Sequence, residues 1–139
     1  LAQRLARRLC MACRKSEPAS ADFVAELQDE YLRAFSPGMR PSHDALRDQW
    51  QAQYGTVQRY RSSGCAHCNG TGLSGRVGLH ELLSVTSAIR RLIQTGARSE
   101  DIQQEAFQGG LFRTLRQDGI TKVLAGLITI EEVRANSNA

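Results

Sequence analysis

The chain has 139 residues, 41% hydrophobic and 23% charged, enough for one small core and ordinary for a globular protein. Its longest apolar runs fall well short of the roughly 20 residues that cross a bilayer, so the sequence predicts no transmembrane helix. The net charge of +4 comes from 18 Lys+Arg, all arginine but Lys15 and Lys122, spread along the chain in doublets such as Arg7-Arg8 and Arg90-Arg91; this reads as solvated surface, and no nucleic-acid partner is expected.

The chain opens Leu1-Ala2-Gln3-Arg4 with no apolar leader or cleavage pattern, and is expected to be a piece of something longer. Leu1, Leu5 and Leu9 lie four apart, which suits a helix but also one face of a strand, and periodicity leaves both open. Cys10-Met11-Ala12-Cys13 follows. Ser20 then predicts a helix cap, with a helix over Ala21 to Phe35 that carries Phe23, Leu27, Tyr31 and Phe35. Ser36-Pro37-Gly38 ends it. Pro41-Ser42 opens a second helix with Leu46, Trp50 and Tyr54 on one stripe, stopped by Gly55. The two helices are expected to form a hairpin packed beside the cysteines, with their aromatics buried between them.

Thr56 to Arg61 reads as a short extended segment leading to Cys65-Ala66-His67-Cys68 and then Asn69-Gly70-Thr71-Gly72. Glycines beside such a turn permit positive φ and let backbone N–H groups face sulfur. No Gly-Lys-Ser/Thr follows, so this is not a phosphate-binding loop. Arg76 to Leu83 is expected to be a strand. The remainder predicts short helices: one capped by Ser84 or Thr86 and ending near Gly96, one capped by Ser99 and ending at Gly109-Gly110, and one over Leu111 to Ala125. Gly119 is a weak point in that third helix and Gly126 its stop. Thr129-x-x-Glu132 predicts a capping box for a last helix, and Asn136 to Ala139 are expected to fray.

The four cysteines form two Cys-x-x-Cys pairs separated by 51 residues. A two-residue spacer lets both thiolates of a pair reach one ion, and two pairs complete a tetrahedron with no open position for water. Cys10, Cys13, Cys65 and Cys68 are therefore expected to hold one structural Zn²⁺ rather than two disulfides or two redox pairs. His43, His67 and His80 are assigned as surface or packing residues, not ligands. No catalytic and no cofactor-binding residue is assigned.

Ala2-Gln3-Arg4-Leu5 with Arg8-Leu9-Cys10, and Cys65-Ala66-His67-Cys68-Asn69-Gly70-Thr71-Gly72 with Gly75-Arg76-Val77-Gly78-Leu79-His80-Glu81, resemble the hexameric ATPases of type II secretion and type IV pilus assembly. Asp118-Gly119 with Lys122-Val123, Gly126-Leu127-Ile128-Thr129 and Glu131-Glu132-Val133 are similar to that family's last helices. The resemblance implies that the opening segment and the Gly-Arg-x-Gly-x-x-Glu segment are neighbouring strands, with the metal-binding insertion replacing the turn between them. It implies a parent that self-associates as a hexamer at the cytoplasmic side of the bacterial inner membrane, binds ATP and Mg²⁺, and works on a membrane platform protein. Two departures stand out. The spacer is longer than is usual for the family, and there is no Gly-x-x-x-x-Gly-Lys-Ser/Thr and no acidic Walker B segment, so this chain alone is expected to be inactive on ATP. The expected fold is α+β and mostly helical: a strand over 1–9, a tetracysteine zinc subdomain with a helical insertion over 10–75, and a return strand with a bundle of short helices over 76–139. Two other readings exist: a chaperone-type module, because Cys65-x-x-Cys68-x-Gly70-x-Gly72 fits that repeat, and a nucleic-acid-binding zinc ribbon.

Overall fold

The computed structural model describes residues 2–110 and 112–137. The expectations for Leu1, for Leu111 as the start of a helix, and for fraying of residues 138–139 lie outside the described residues. The fold is α+β, with ten elements among the described residues, in the order β1 (Ala2–Leu9), β2 (Arg14–Pro18), α1 (Ala21–Leu32), α2 (His43–Tyr54), β3 (Gln58–Ser62), β4 (Leu73–Glu81), α3 (Ser87–Gln94), α4 (Ser99–Gln108), α5 (Leu115–Leu124) and α6 (Ile130–Asn136).

The opening segment is a strand because it has a partner. β1 pairs antiparallel with β4 from Ala2 opposite Glu81 to Arg7 opposite Arg76, and the register shifts at Arg8 before Leu9 meets Leu73. Ala6 and Leu79 face inward and are fully buried. β4 begins three residues earlier than the pattern suggested and ends before Leu82, which is exposed. A second ladder, β2 with β3, runs from Arg14 opposite Ser62 to Pro18 opposite Gln58. Its first strand, Arg14-Lys15-Ser16-Glu17-Pro18, is polar and has no apolar alternation to announce it.

Ser20 and Ser42 cap α1 and α2, accepting from the amides of Phe23 and Ala45, and Gly55 closes α2 at φ 71°. α1 ends at Leu32 rather than at Phe35. The two helices do meet, through Tyr31 and Trp50, but they do not stand as a separate hairpin beside the cysteines. The β2–β3 ladder carries both helices away from the cysteine end by four residues, about 13 Å of strand. They join one hydrophobic cluster instead: Phe23 and Leu27 of α1, Leu46 and Trp50 of α2, Leu79 of β4, Ile120 and Leu124 of α5, and Val133 of α6. Trp50 meets Tyr31 edge-on at 5.8 Å, while Phe35, beyond the end of α1, turns to Phe107 of α4 at 4.5 Å. Glu30 reinforces the docking by pairing with Arg116 of α5 and Arg134 of α6, and the Gln117 side-chain amide donates to the Tyr31 carbonyl.

The C-terminal helices follow the expected order with local corrections. Thr86 caps α3. Arg98, not Ser99, is the N-cap of α4 and offers no side-chain bond. α5 starts at Leu115 under a full capping box made by Thr114 and Gln117. It runs unbroken through Gly119, where an added Cβ would sit 2.7 Å from Val133 Cγ1. Gly119 is thus a point of close helix approach, not a weak point. The α6 box is half-made: Thr129 accepts from the Glu132 amide, but the Glu132 carboxylate turns away to β1. Asn136 does not fray, since its side chain donates to the Glu132 carbonyl.

Candidate metal centre

Each Cys-x-x-Cys turn leads from one ladder into the other. Cys10 directly follows β1 and Cys13 directly precedes β2, while the second pair lies between β3 and β4. Antiparallel pairing of both ladders therefore brings the two turns face to face, and 51 intervening residues are no obstacle because β2 and β3 close that excursion at its base. The Cys10 amide donates to the Gly72 carbonyl at 2.9 Å, and Ser62 Oγ donates to the Cys10 carbonyl, stitching the turns together.

The four Sγ atoms lie within 4.8 Å of one another. Cys10 to Cys65 is 3.8 Å, Cys13 to Cys68 is 3.9 Å and Cys65 to Cys68 is 3.8 Å. Thiolates about 2.3 Å from a tetrahedral Zn²⁺ stand about 3.8 Å apart along each edge. The donor set and its spacing fit one soft, four-coordinate ion. Sulfur atoms this far apart are not disulfide-bonded, and all four cysteines are free. His67 is exposed and joins no cluster, His43 pairs with Asp29 at 2.7 Å, and the His80 ring lies against Gly78.

The backbone prepares one thiolate in particular. The amides of Cys65 and Gly72 both point at Cys68 Sγ from 3.2 Å. Burial pushes the Cys68 thiol up, but those amides and the neighbouring thiols of Cys65 and Cys13 outweigh it and bring it down to about 6. Burial pushes the Cys13 thiol up to about 11, with the other three thiols adding to the rise against the Gly64 amide. Four sulfurs in one small space cannot all ionise together without a cation, and a divalent ion supplies the missing charge. Glycine is required twice here: a Cβ on Gly64 (φ 103°) would meet the Gly70 carbonyl oxygen at 2.5 Å, and one on Gly72 (φ 77°) the Ser62 carbonyl oxygen at 2.7 Å.

Three acids fix the β1–β4 ladder to the helices: Glu132, which the sequence offered only as a capping residue, and Asp118 and Glu81, for which it offered no contact. Glu132 takes the Arg7 amide and both Nε and Nη2 of its guanidinium, at 2.6–2.9 Å. Asp118 accepts from the His80 amide while pairing with Lys122 and Arg113. Glu81 accepts from the Leu115 amide at the start of α5. Each satisfies a backbone N–H at a ladder edge or a helix start. Their signal was the spacing of Asp118-x-x-x-Lys122 and Glu131-Glu132, visible as a family pattern but not as a contact.

A family model described as "Type II/IV secretion system protein" matches residues 1–135. The chain is 35% identical over 137 residues to the type IV pilus assembly ATPase PilB of Myxococcus xanthus, covering 99% of this chain and 21% of that protein. It is 33% identical over 139 residues to PilB of Thermus thermophilus (99% and 13%), and 37% identical over 133 residues to the type II secretion system protein E of Klebsiella pneumoniae (96% and 22%). The chain thus spans about a fifth or less of the length of these curated relatives.

Proposed function

Because the chain belongs to the type II/IV secretion system protein family, we propose that it is the metal-binding part of a cytoplasmic hexameric ATPase that drives type II secretion or type IV pilus assembly. The relatives' names, pilus assembly ATPase and secretion protein E, support the parent activity. The observation that carries the role of this part is the four-thiol cluster at the junction of two strand ladders. In this reading Cys10, Cys13, Cys65 and Cys68 hold one Zn²⁺. The ion does no catalysis; it crosslinks the two turns and so fixes the far end of both ladders, beyond Leu9, the last buried aliphatic side chain before the cysteines. ATP and Mg²⁺ belong to the remainder of the parent, since this sequence has no phosphate-binding loop.

The mechanical role follows from the ties to the helices. Glu132 grips β1, Asp118 and Glu81 grip β4, and the inserted α1 is held on α5 and α6 by Glu30. A movement of the helices is thereby transmitted to the metal-bearing tip as to one body, and the tip is the part that meets the inner-membrane platform protein. The test is metal content per chain by mass spectrometry on protein purified without added metal, with thiols titrated before and after chelation. One zinc with all four thiols masked is the expected result. Free thiols and no metal would remove the zinc-site reading, and Cys68→Ser in the full-length ATPase that leaves secretion or piliation intact would remove the mechanical one.

A further inference from the structure

We infer that the two strand ladders around the cysteine cluster form a docking surface for a carboxylate-rich segment of a partner protein. The inference deepens the reading of this tip as a partner-contacting part and rests on it. Its carrying observation is an arrangement of charge that antiparallel strands ordinarily avoid. Arg7 stands directly opposite Arg76 in β1–β4, and Lys15 directly opposite Arg61 in β2–β3. Opposed like charges destabilise a strand pair. One member of each pair, Arg7 and Lys15, lies within three residues of a cysteine, one in each ladder that converges on the cluster.

Local acids offset little of this. Arg7 is taken by Glu132. Arg61 reaches Glu17 only at 3.6 Å, with both side chains mostly exposed. Arg59 stands opposite Glu17 but lies over the Phe23 ring at 4.4 Å. Lys15 and Arg76 are exposed and have no ion-pair partner among the described residues. Arg8, at the register shift, has a buried Nε with no hydrogen-bond partner among the described residues, and its guanidinium runs alongside Gly75, where an added Cβ would lie 3.8 Å away. Four thiolates on a divalent ion carry a net charge of about −2. Even with that charge in place, Arg8, Lys15, Arg59, Arg61 and Arg76 leave the collar positive.

Guanidinium collars bind carboxylates or phosphates, both in bidentate fashion. Two features favour carboxylates. The ring of Tyr60, the aromatic of the β2–β3 ladder, is half-buried, with Arg14 over one face at 4.8 Å and Gly126 against its edge, a poor platform for stacking a base. Met11 is the one large apolar side chain exposed on the two cysteine turns, too little to hold a lipid surface. An acidic protein segment needs neither.

The test is fluorescence anisotropy of a fluorescein-labelled decaglutamate peptide against the metal-loaded chain at physiological salt. Exposed ion pairs are individually weak, so the triple variant Lys15→Gln/Arg61→Gln/Arg76→Gln is expected to lose about tenfold in affinity. The charge-matched variant Arg90→Gln/Arg91→Gln/Arg98→Gln on the α3–α4 side should change it less than about twofold. Equal losses in both variants, no binding by the unmodified chain, or tighter binding of polyphosphate or phosphatidylserine vesicles than of the peptide would each overturn the inference. So would loss of metal in the first triple variant, which would assign those cations to the metal site. A metal-loaded chain that ignores the peptide leaves the metal reading standing, whereas a chain that binds the peptide without carrying metal overturns the metal reading alone.

Discussion

The cysteine tip and the helical base are held together by different physics. At the tip, Met11, Ala12, Ala66, His67 and Asn69 are exposed, and the buried side chains of the two turns are Cys10 and Cys68. The base gathers α1, α2, α5, α6 and β4 around Leu27, Trp50, Leu79, Ile120 and Val133. Each fully buried side chain of that size contributes about 1.5–3 kcal/mol, a source of stability the tip lacks. A small unit without a core needs a crosslink, and four thiols at tetrahedral spacing supply the means. The β1–β4 ladder joins the two regimes, with its cysteine end at the tip and Ala6 and Leu79 in the base.

Chelating the proposed metal probes the comparison most severely. Structural zinc contributes about 10–16 kcal/mol to small zinc modules, so chelation should melt the tip outright. Amide exchange at Cys65, Gly70 and Gly72 should then lose protection while Ile120, Val123 and Leu124 keep theirs. Trp50 is the only tryptophan and is buried in the base, so its emission should not move on chelation. A red shift of Trp50 together with loss of protection throughout would mean that tip and base form one cooperative unit.

What the sequence made legible divides along the same line. The cysteine spacing announced the cluster directly, because two Cys-x-x-Cys turns and tetrahedral geometry constrain each other. The caps Ser20 and Ser42 and the stops Gly55 and Gly126 were equally legible, being local chemistry, while the third cap was narrowed to Ser84 or Thr86, of which Thr86 is the one used. The placement of α1 and α2 was not. The stripe of Phe23, Leu27 and Tyr31 says that a face is buried, but nothing in it says against what. The polar β2 gave no period, and its partner β3 defines it. Glu132 illustrates the limit best: the Thr129-x-x-Glu132 spacing predicted a bond back to the cap, and a longer-range partner, Arg7, outbid it.

That same carboxylate offers a milder way to sharpen the contrast, by loosening the joint rather than either side. Burial pushes the Glu132 carboxyl up, but bonds from the Arg7 side chain and amide, with Asn136, outweigh it and hold it below its ordinary value of 4.5. A depressed carboxylate adds stability above its unfolded value and loses that contribution as pH falls through its folded one. Arg7 is largely exposed, which weakens the ion pair, so Glu132→Gln should cost about 1–2 kcal/mol at neutral pH. The gap between variant and parent should start to close near pH 4.5 and vanish below the depressed value. Urea melts at several pH values measure it, and a gap independent of pH would show that the ion pair does not hold β1 to α6.

Gly119 gives the smallest effect and tests the base alone. In an exposed helix, Gly→Ala gains about 1 kcal/mol from helix propensity. Here the new Cβ would meet Val133 at 2.7 and 2.9 Å, and Val133 is fully buried with nowhere to go. Overpacking costs about 1–3 kcal/mol, so the propensity gain offsets only part of it and Gly119→Ala should destabilise by about 1 kcal/mol. Val133→Ala alone leaves a cavity, but in the Gly119→Ala background it also relieves the clash. The double variant should therefore be more stable than the sum of the two single losses predicts, a coupling that only residues in contact show. Metal affinity should be the same in all four proteins, because the clash is confined to the contact between Gly119 and Val133. Simple additivity would mean that the helices part to admit the methyl group, and stabilisation by Gly119→Ala would mean that they never pack that closely.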